Sequence, residues 1–256
     1  MDTSNELKKD LVSIIMLCWN KMEFTKQAMD AVDMFTDDWP FEFILVDNGS
    51  TDGTQEFMKN SNYKMDGQYI RNEKNLGFDV GNNQGAKVAK GNFLLFLNND
   101  TIVTPGWLSS LMNVFGEEKA VGAVGPKMLH PGKGTIQHAG VIEHASGLPD
   151  HAYFGKPGDY PPANERKHIF AVTGACLLTP KALFEQLGGF DEAYYNGWED
   201  MDYCQKVRQV GMNIIYEPAS LVYHYESRTD GRYVAEGSNF TLYMSRWVLG
   251  KKNESK

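Results

Sequence analysis

The chain has 256 residues, with 33 acidic against 25 basic side chains and a formal net charge of -8. That length suits one α/β domain or two halves sharing a core, and a 42% hydrophobic content excludes a disordered chain. The acidic balance excludes a general nucleic-acid binder, which needs a positive surface field.

Cys18, Cys176 and Cys204 are widely spaced with no C-x-x-C pair, so a reducing compartment fits better than a disulfide framework. Met1 to Asp10 is polar and lacks the apolar stretch of a signal peptide. The longest apolar run, Val12 to Trp19, is far shorter than the ~20 residues that span a bilayer. The expectation is a cytoplasmic protein.

In chain order, Val12–Cys18 reads as a buried strand. Lys21–Phe35 has apolar residues at helical spacing (Met22, Ala28, Met29, Val32 and Phe35). Phe41–Val46 is a second strand and ends in the turn cluster Asp47-Asn48-Gly49-Ser50, after which Thr51 or Asp52 is placed to cap a helix toward Lys59. Gln68–Arg71 is a short strand, Phe78–Lys90 a helix and Phe93–Leu97 an apolar strand, and Pro105 opens a helix through Phe115. Alternation of this kind predicts a parallel sheet covered on both faces, with ligands bound beyond the carboxyl ends of the strands. Polar residues collect at those ends: Trp19-Asn20, Asp47-Asn48 and Asn98-Asn99-Asp100.

The second half is less regular. Val121–Met128, Thr135–Ile142, Phe170–Leu178 and Asn213–Tyr216 read as strands. Gly147–Arg166 reads as a long loop, which in a compact domain is commonly a lid or a binding segment. Pro180–Leu187 and Glu199–Val210 read as helices ended by glycines, and Tyr233–Leu249 as a final helix.

Four constellations bear on chemistry. Asp47 and the small residues after it form either a polar turn with a helix cap or a carboxylate that accepts from a base N–H or a ribose hydroxyl. Asn98-Asn99-Asp100-Thr101 is either a turn or a thin ligand set for Mg²⁺ or Mn²⁺. Glu199-Asp200-Met201-Asp202 places three carboxylates in a first helical turn, where the helix dipole favours them. Glu199 and Asp202 share a face and Asp200 points elsewhere, so one carboxylate is free to act as a general base. His224, in Tyr223-His224-Tyr225, is a structural histidine or a ligand. The sequence has no zinc spacing, no Walker loop, no G-x-G-x-x-G and no G-x-S-x-G, which disfavours P-loop kinases, dinucleotide dehydrogenases and serine hydrolases.

These residues resemble the inverting family 2 glycosyltransferases of GT-A fold. The matching segments occur in the family's order from about residue 12 to 228. They are Val12-Ser13-Ile14-Ile15, Asp47-Asn48-Gly49-Ser50-Thr51-Asp52-Gly53-Thr54, Asn75-Leu76-Gly77-Phe78 with Gly81-Asn82-Asn83-Gln84-Gly85, and Leu97-Asn98-Asn99-Asp100. Thr173-Gly174-Ala175, Gly188-Gly189-Phe190-Asp191-Glu192 and Trp198-Glu199-Asp200-Met201-Asp202 complete the set.

The resemblance implies a single GT-A domain over 1–256, with a Rossmann-like, mixed but mostly parallel sheet flanked by helices. It implies a nucleotide-sugar half over about 1–104, an acceptor and catalytic half over about 105–228, and a helical tail over about 229–256. It implies transfer of a hexose or deoxyhexose from a UDP- or dTDP-linked sugar, with inversion, to a glycan, glycolipid or glycoprotein acceptor in cell-surface polysaccharide synthesis. Asp200 matches the catalytic base. Asp47, Asn48, Arg71, Asn75, Gly77, Asn98 and Asn99 match donor-binding positions, Asp100 and His224 the positions that hold a divalent cation (Mg²⁺ or Mn²⁺), and Trp198 and Glu199 the acceptor pocket. Asn98 departs from the family, which usually has an acid there, and this favours the alternative of a catalytically degenerate nucleotide-sugar or glycan-binding module. A nucleotidyltransferase is a third reading, disfavoured because Cys18-Trp19-Asn20-Lys21 is no Gly-rich basic loop. Asp79, after Leu76-Gly77-Phe78, replaces a small residue and is expected to bear on donor preference. Tyr153, Phe154, Tyr160 and His151 of the long loop suit either a cover over the acceptor or a surface loop anchored by buried aromatics. The tail, with Tyr233, Phe240, Tyr243, Trp247, Lys251 and Lys252, reads as core packing or a homodimer contact ahead of a peripheral seat on the inner face of a membrane, because its basic content is small.

Overall fold

The computed structural model describes residues 10–63, 65–144, 148–226 and 235–250. Most of the N-terminal stretch, Gly147, Tyr233, Lys251 and Lys252 lie outside these residues. The first half follows the expected alternation. Strands β1 (Val12–Cys18), β2 (Phe41–Asp47), β3 (Gly67–Arg71) and β4 (Phe93–Asn98) alternate with helices α1 (Met22–Phe35), α2 (Thr54–Asn60) and α3 (Phe78–Val88). The four strands are parallel, in the order β3-β2-β1-β4. Register brings Cys18 opposite Asp47 and Leu17 opposite Asn98, so the polar strand ends share one edge of the sheet.

Alternate residues of β1 serve two cores. Val12, Ile14, Met16 and Cys18 pack with Ala28, Met29 and Val32 of α1, while Ile15 packs with Ala86 of α3. A period-2 strand with both faces apolar must be covered twice, and the helices divide accordingly. The expected cap of α2 is reassigned. Its N-cap residue is Gly53, in the left-handed region and without a side-chain cap bond. Asp52 still meets the helix start, its Oδ1 accepting the Thr54 N–H at 3.3 Å and the Thr54 hydroxyl at 2.6 Å, while its Oδ2 accepts the Met22 N–H at 2.7 Å and ties the start of α1 to the β2–α2 turn.

The second half comprises β5 (Thr101–Val103), α4 (Trp107–Glu117), β6 (Val121–Leu129), β7 (Ile136–His138), β8 (Val141–Glu143), β9 (Pro149–His151), β10 (Lys167–His168) and β11 (Cys176–Pro180). These are followed by α5 (Lys181–Gln186), α6 (Glu199–Gln209), β12 (Asn213–His224) and α7 (Glu236–Tyr243), which continues as a widened turn over Met244–Leu249. The sheet runs β10-β12-β6-β11-β4-β1-β2-β3, with β5 on β12 and β7 on β6. β11 is antiparallel to both β4 and β6, and β12 is parallel to β6, so the sheet is mixed but mostly parallel across its centre.

Four expectations need correction. Thr135–Ile142 is two short strands, because Gly140 takes φ 88° between them. The Phe170–Leu178 strand starts only at Cys176. Phe170 and Ala171 exchange backbone bonds with Val141, which draws the chain out of the main sheet. Asn213–Tyr216 extends to His224, with a register break between Glu217 and Leu221, where Pro218 has no N–H for the ladder. Gly147–Arg166 contains β9, which pairs with β8, and a single tight helical turn over Pro161–Ala163.

In the tail, Tyr243 and Trp247 are buried against the α6 side of the sheet, as core packing requires. Among the described residues no helix is long and apolar enough to cross a membrane.

Candidate active site

A cavity of about 760 Å³ opens at the carboxyl ends of the parallel strands. Trp19, Asn48, Asn75, Gly77, Asn98 and Asn99 line one side, and Asp100, His224, Trp198, Glu199 and Asp200 also face it. Thus every residue assigned by resemblance to donor, metal, base or acceptor contact reaches this cavity except Asp47 and Arg71.

Those two stand just behind it. Asp47 is fully buried at the end of β2. Its Oδ1 accepts the Ser50 N–H at 2.8 Å, and its Oδ2 accepts the Tyr69 hydroxyl at 2.6 Å and an N–H of the Arg71 guanidinium. Arg71 also donates to the Ser50 carbonyl at 2.8 Å. Burial, and then the bond to Asp47, pushes the Tyr69 phenol above its usual range. The carboxylate therefore shapes the turn that borders the cavity.

Asn48 holds the next segment in place. Its amide nitrogen donates to the Gly77 carbonyl at 2.9 Å and to Asn75 Oδ1 at 3.1 Å, and its oxygen accepts from Asn72 Nδ2 at 2.9 Å. Gly77 takes φ 92°, and a Cβ there would lie 2.7 Å from the Tyr195 carbonyl oxygen, so no other residue fits without movement.

The Asp100 end is a fit test for a cation. His224 Nδ1 lies 2.8 Å from Gln137 Oε1. The Gln137 amide nitrogen donates to Glu226 Oε2 at 3.0 Å, so its oxygen is the acceptor, and the hydrogen-bond network assigns the proton to His224 Nδ1. In a neutral ring His224 Nε2 is then the lone-pair nitrogen; it lies 3.1 Å from Asp100 Oδ1, the distance of an ion pair when the ring is protonated there as well, with Asn98 Nδ2 at 3.4 Å. Two acceptors this close repel unless a positive charge lies beside them. An imidazole nitrogen opposite a carboxylate is chemistry that fits a divalent cation. Among the described residues no three His, Cys, Asp or Glu side chains gather as a complete cage, so a cation here would take at most these two side chains and would need solvent or phosphate oxygens for the rest.

At the opposite wall, Asp200 begins α6. Its Oδ2 accepts the Gly174 N–H at 2.8 Å and its Oδ1 accepts the Met201 N–H at 2.8 Å. Both oxygens are oriented by backbone, and each keeps a lone pair. Trp198, the N-cap residue of α6, holds φ 75°, a costly conformation for a bulky side chain, and packs against the rings of Tyr243 and Phe240. Asp202 is not part of the site. It is fully buried; its Oδ1 accepts the Trp247 indole N–H at 2.8 Å, anchoring the tail, and its Oδ2 is ion-paired with the Lys206 ammonium at 2.9 Å.

Sequence reasoning missed Gln137, and it singled out Asp79 without foreseeing its burial behind the site. Gln137 meets His224 across 87 positions, a pairing no local spacing signals. Asp79, in the first turn of α3, is 1% exposed, and neither carboxyl oxygen has a hydrogen-bond partner. Burial first, and then the negative charge of Glu199, pushes its carboxyl up to about 10.

A family model described as glycosyl transferase family 2 matches residues 13–188, more than half the chain. The chain is 31% identical over 225 residues to the O-antigen biosynthesis protein RfbC of Myxococcus xanthus, covering 84% of this chain but only 17% of that protein. It is 23% identical over 246 residues to the N-acetylglucosaminyl-diphospho-decaprenol L-rhamnosyltransferase of Mycobacterium tuberculosis, covering 87% of this chain and 78% of that enzyme. In structure it is similar to GalNAc-T7, solved with UDP, GalNAc and Mn²⁺, with a TM-score of 0.71, 18% identity, and coverage of 92% of this chain and 48% of that one. With the sheet order and the family match together, the chain belongs to glycosyl transferase family 2 and has the GT-A fold.

Proposed function

We propose that the chain transfers a hexosyl or deoxyhexosyl group, with inversion, from a UDP- or dTDP-linked sugar to a hydroxyl of a glycan, glycolipid or glycoprotein. The process is cell-surface polysaccharide synthesis, in the cytoplasm, at the inner face of the membrane where the acceptor is lipid-linked. The names of the M. xanthus and M. tuberculosis relatives support this reading. The observation that carries it is the placing of Asp200, with both oxygens held by backbone N–H groups, in the same cavity as Asp100 and His224. A pure binding module, which Asn98 would suit, has no use for an oriented carboxylate there.

Asn48, Asn75 and Gly77 shape the seat of the nucleoside, with Asp47 and Arg71 behind them. Asp100 and His224 would hold Mg²⁺ or Mn²⁺, which when bound supplies positive charge for the leaving diphosphate. Trp198 and Glu199 border the acceptor. Asp200 takes the proton from the acceptor hydroxyl as its oxygen bonds to the anomeric carbon. The bond from that carbon to the phosphate oxygen breaks, and the nucleoside diphosphate leaves with the electron pair. Attack opposite the leaving group inverts the centre.

General-base assistance is worth ~10²–10⁴-fold. Asp200→Asn should lose transfer by about that factor while keeping the thermal stabilisation that nucleoside diphosphate with Mn²⁺ gives the wild type. Near-wild-type transfer by this variant would refute the base assignment.

A further inference from the structure

One wall of the cavity is used by none of these assignments. It is built by β7, β8, β9 and the turn after them, and it presents His138, His151 and Phe154. His138 is 1% exposed, yet its Nε2 has no hydrogen-bond partner. Its Nδ1 is taken by His151 Nδ1 at 3.2 Å. Burial holds the ring well below the usual histidine range, so one nitrogen donates and the other accepts. A buried polar atom left without a partner at a cavity wall is costly unless a ligand satisfies it.

Phe154 is the complement. It is 57% exposed and lines the same cavity. Its place is built. Tyr153 takes φ 58°, Gly155 donates its N–H to the Ile136 carbonyl at 2.8 Å, and the Ile136 N–H returns to the Lys156 carbonyl at 2.7 Å. The rings of His130 and His151 lie 5.6 and 6.3 Å from that of Phe154. An aromatic face beside the His130 and His151 imidazoles suits a pyranose ring, which has an apolar face and a rim of hydroxyls.

We propose that this wall is a saccharide subsite, which seats a sugar ring of the acceptor on Phe154 beside the cavity-lining His151 imidazole, which bonds its hydroxyls and is itself held by the buried His138. The assignment of this sugar to the acceptor rests on the transfer reading above. The wall faces the cavity that also holds Asp200, so a sugar seated there belongs to the chain whose hydroxyl is attacked.

The test is retention of immobilised di- to tetrasaccharides of rhamnose, glucose, galactose and N-acetylglucosamine by the wild type and by Phe154→Ala, Phe154→Trp and His138→Phe. The wild type should retain at least one. Phe154→Ala and His138→Phe should weaken that retention about tenfold or more, and Phe154→Trp should keep it. Phe154 is exposed, so its alanine variant decides the matter even where the buried His138→Phe fails to fold. Wild-type retention of no member, or unchanged retention by Phe154→Ala, overturns the subsite. Release of sugar from a UDP- or dTDP-sugar into water by the wild type, measured alongside, reads the transfer reaction alone, so failure of that reading and failure of the subsite give different patterns.

Discussion

Asp79→Asn isolates the electrostatics of a carboxyl buried at the start of α3. Asp79 stands in the first turn of α3, where the helix dipole favours a negative charge, but burial and the nearby Glu199, Asp200 and Asp191 oppose it more strongly. Its carboxyl rises from 3.8 to about 10 in the folded chain. Between those two values the folded state holds a proton that the unfolded state has released. Stability therefore falls as pH rises through this window, by up to about 1.4 kcal/mol per unit. Accumulated from 3.8 to neutral pH, this is about 4 kcal/mol as an upper bound. Asparagine has the same shape and no proton to lose, and its amide meets the same lack of partners as the neutral acid. Urea unfolding at pH 5, 6, 7 and 8 should show the variant more stable than wild type, with a margin that widens by about 1 kcal/mol per unit. A margin that stays constant from pH 5 to pH 8 would refute this account, because only a proton equilibrium makes it slope.

Three further predictions concern separate parts of the molecule. The Asp200→Asn variant described above tests the base through transfer rate against retained donor binding. Gln137→Leu removes the acceptor that sets the His224 tautomer, so the Mn²⁺ concentration needed for nucleotide-dependent thermal stabilisation should rise about 10–100-fold; an unchanged Mn²⁺ titration would remove Gln137 from the site. Asp202→Ala leaves the Trp247 indole and the Lys206 ammonium without their buried acceptor, and should cost about 3–5 kcal/mol in denaturant unfolding and open the tail to proteolysis. Equal protease resistance of variant and wild type would show that the tail is held by apolar contacts alone.

The sequence by itself determined the first half and the location of the site. Period-2 apolar runs such as Val12–Cys18 and Phe93–Leu97 admit few structures but strands covered on both faces, and their polar ends must then meet at one edge. Tertiary structure decided what depends on contacts between distant residues. Three carboxylates in one helical turn are alike in sequence; packing buries Asp202 under Trp247 and leaves Asp200 at the cavity, bonded to the Gly174 N–H. Asp52 reads as a cap for the helix that follows it and does bond Thr54 there, but its second oxygen also bonds the start of α1, since the strand order sets that N-terminus beside the β2–α2 turn. The run from Phe170 to Leu178 is apolar enough for a strand, but the chain bends out of the sheet because Val141 offers Phe170 and Ala171 another partner. Gln137 and His224, and His138 with its unpaired nitrogen, have no local pattern. Their chemistry arises only where β7 and β12 flank β6 and bring them to the cavity, and no periodicity in a single chain encodes contacts of that range.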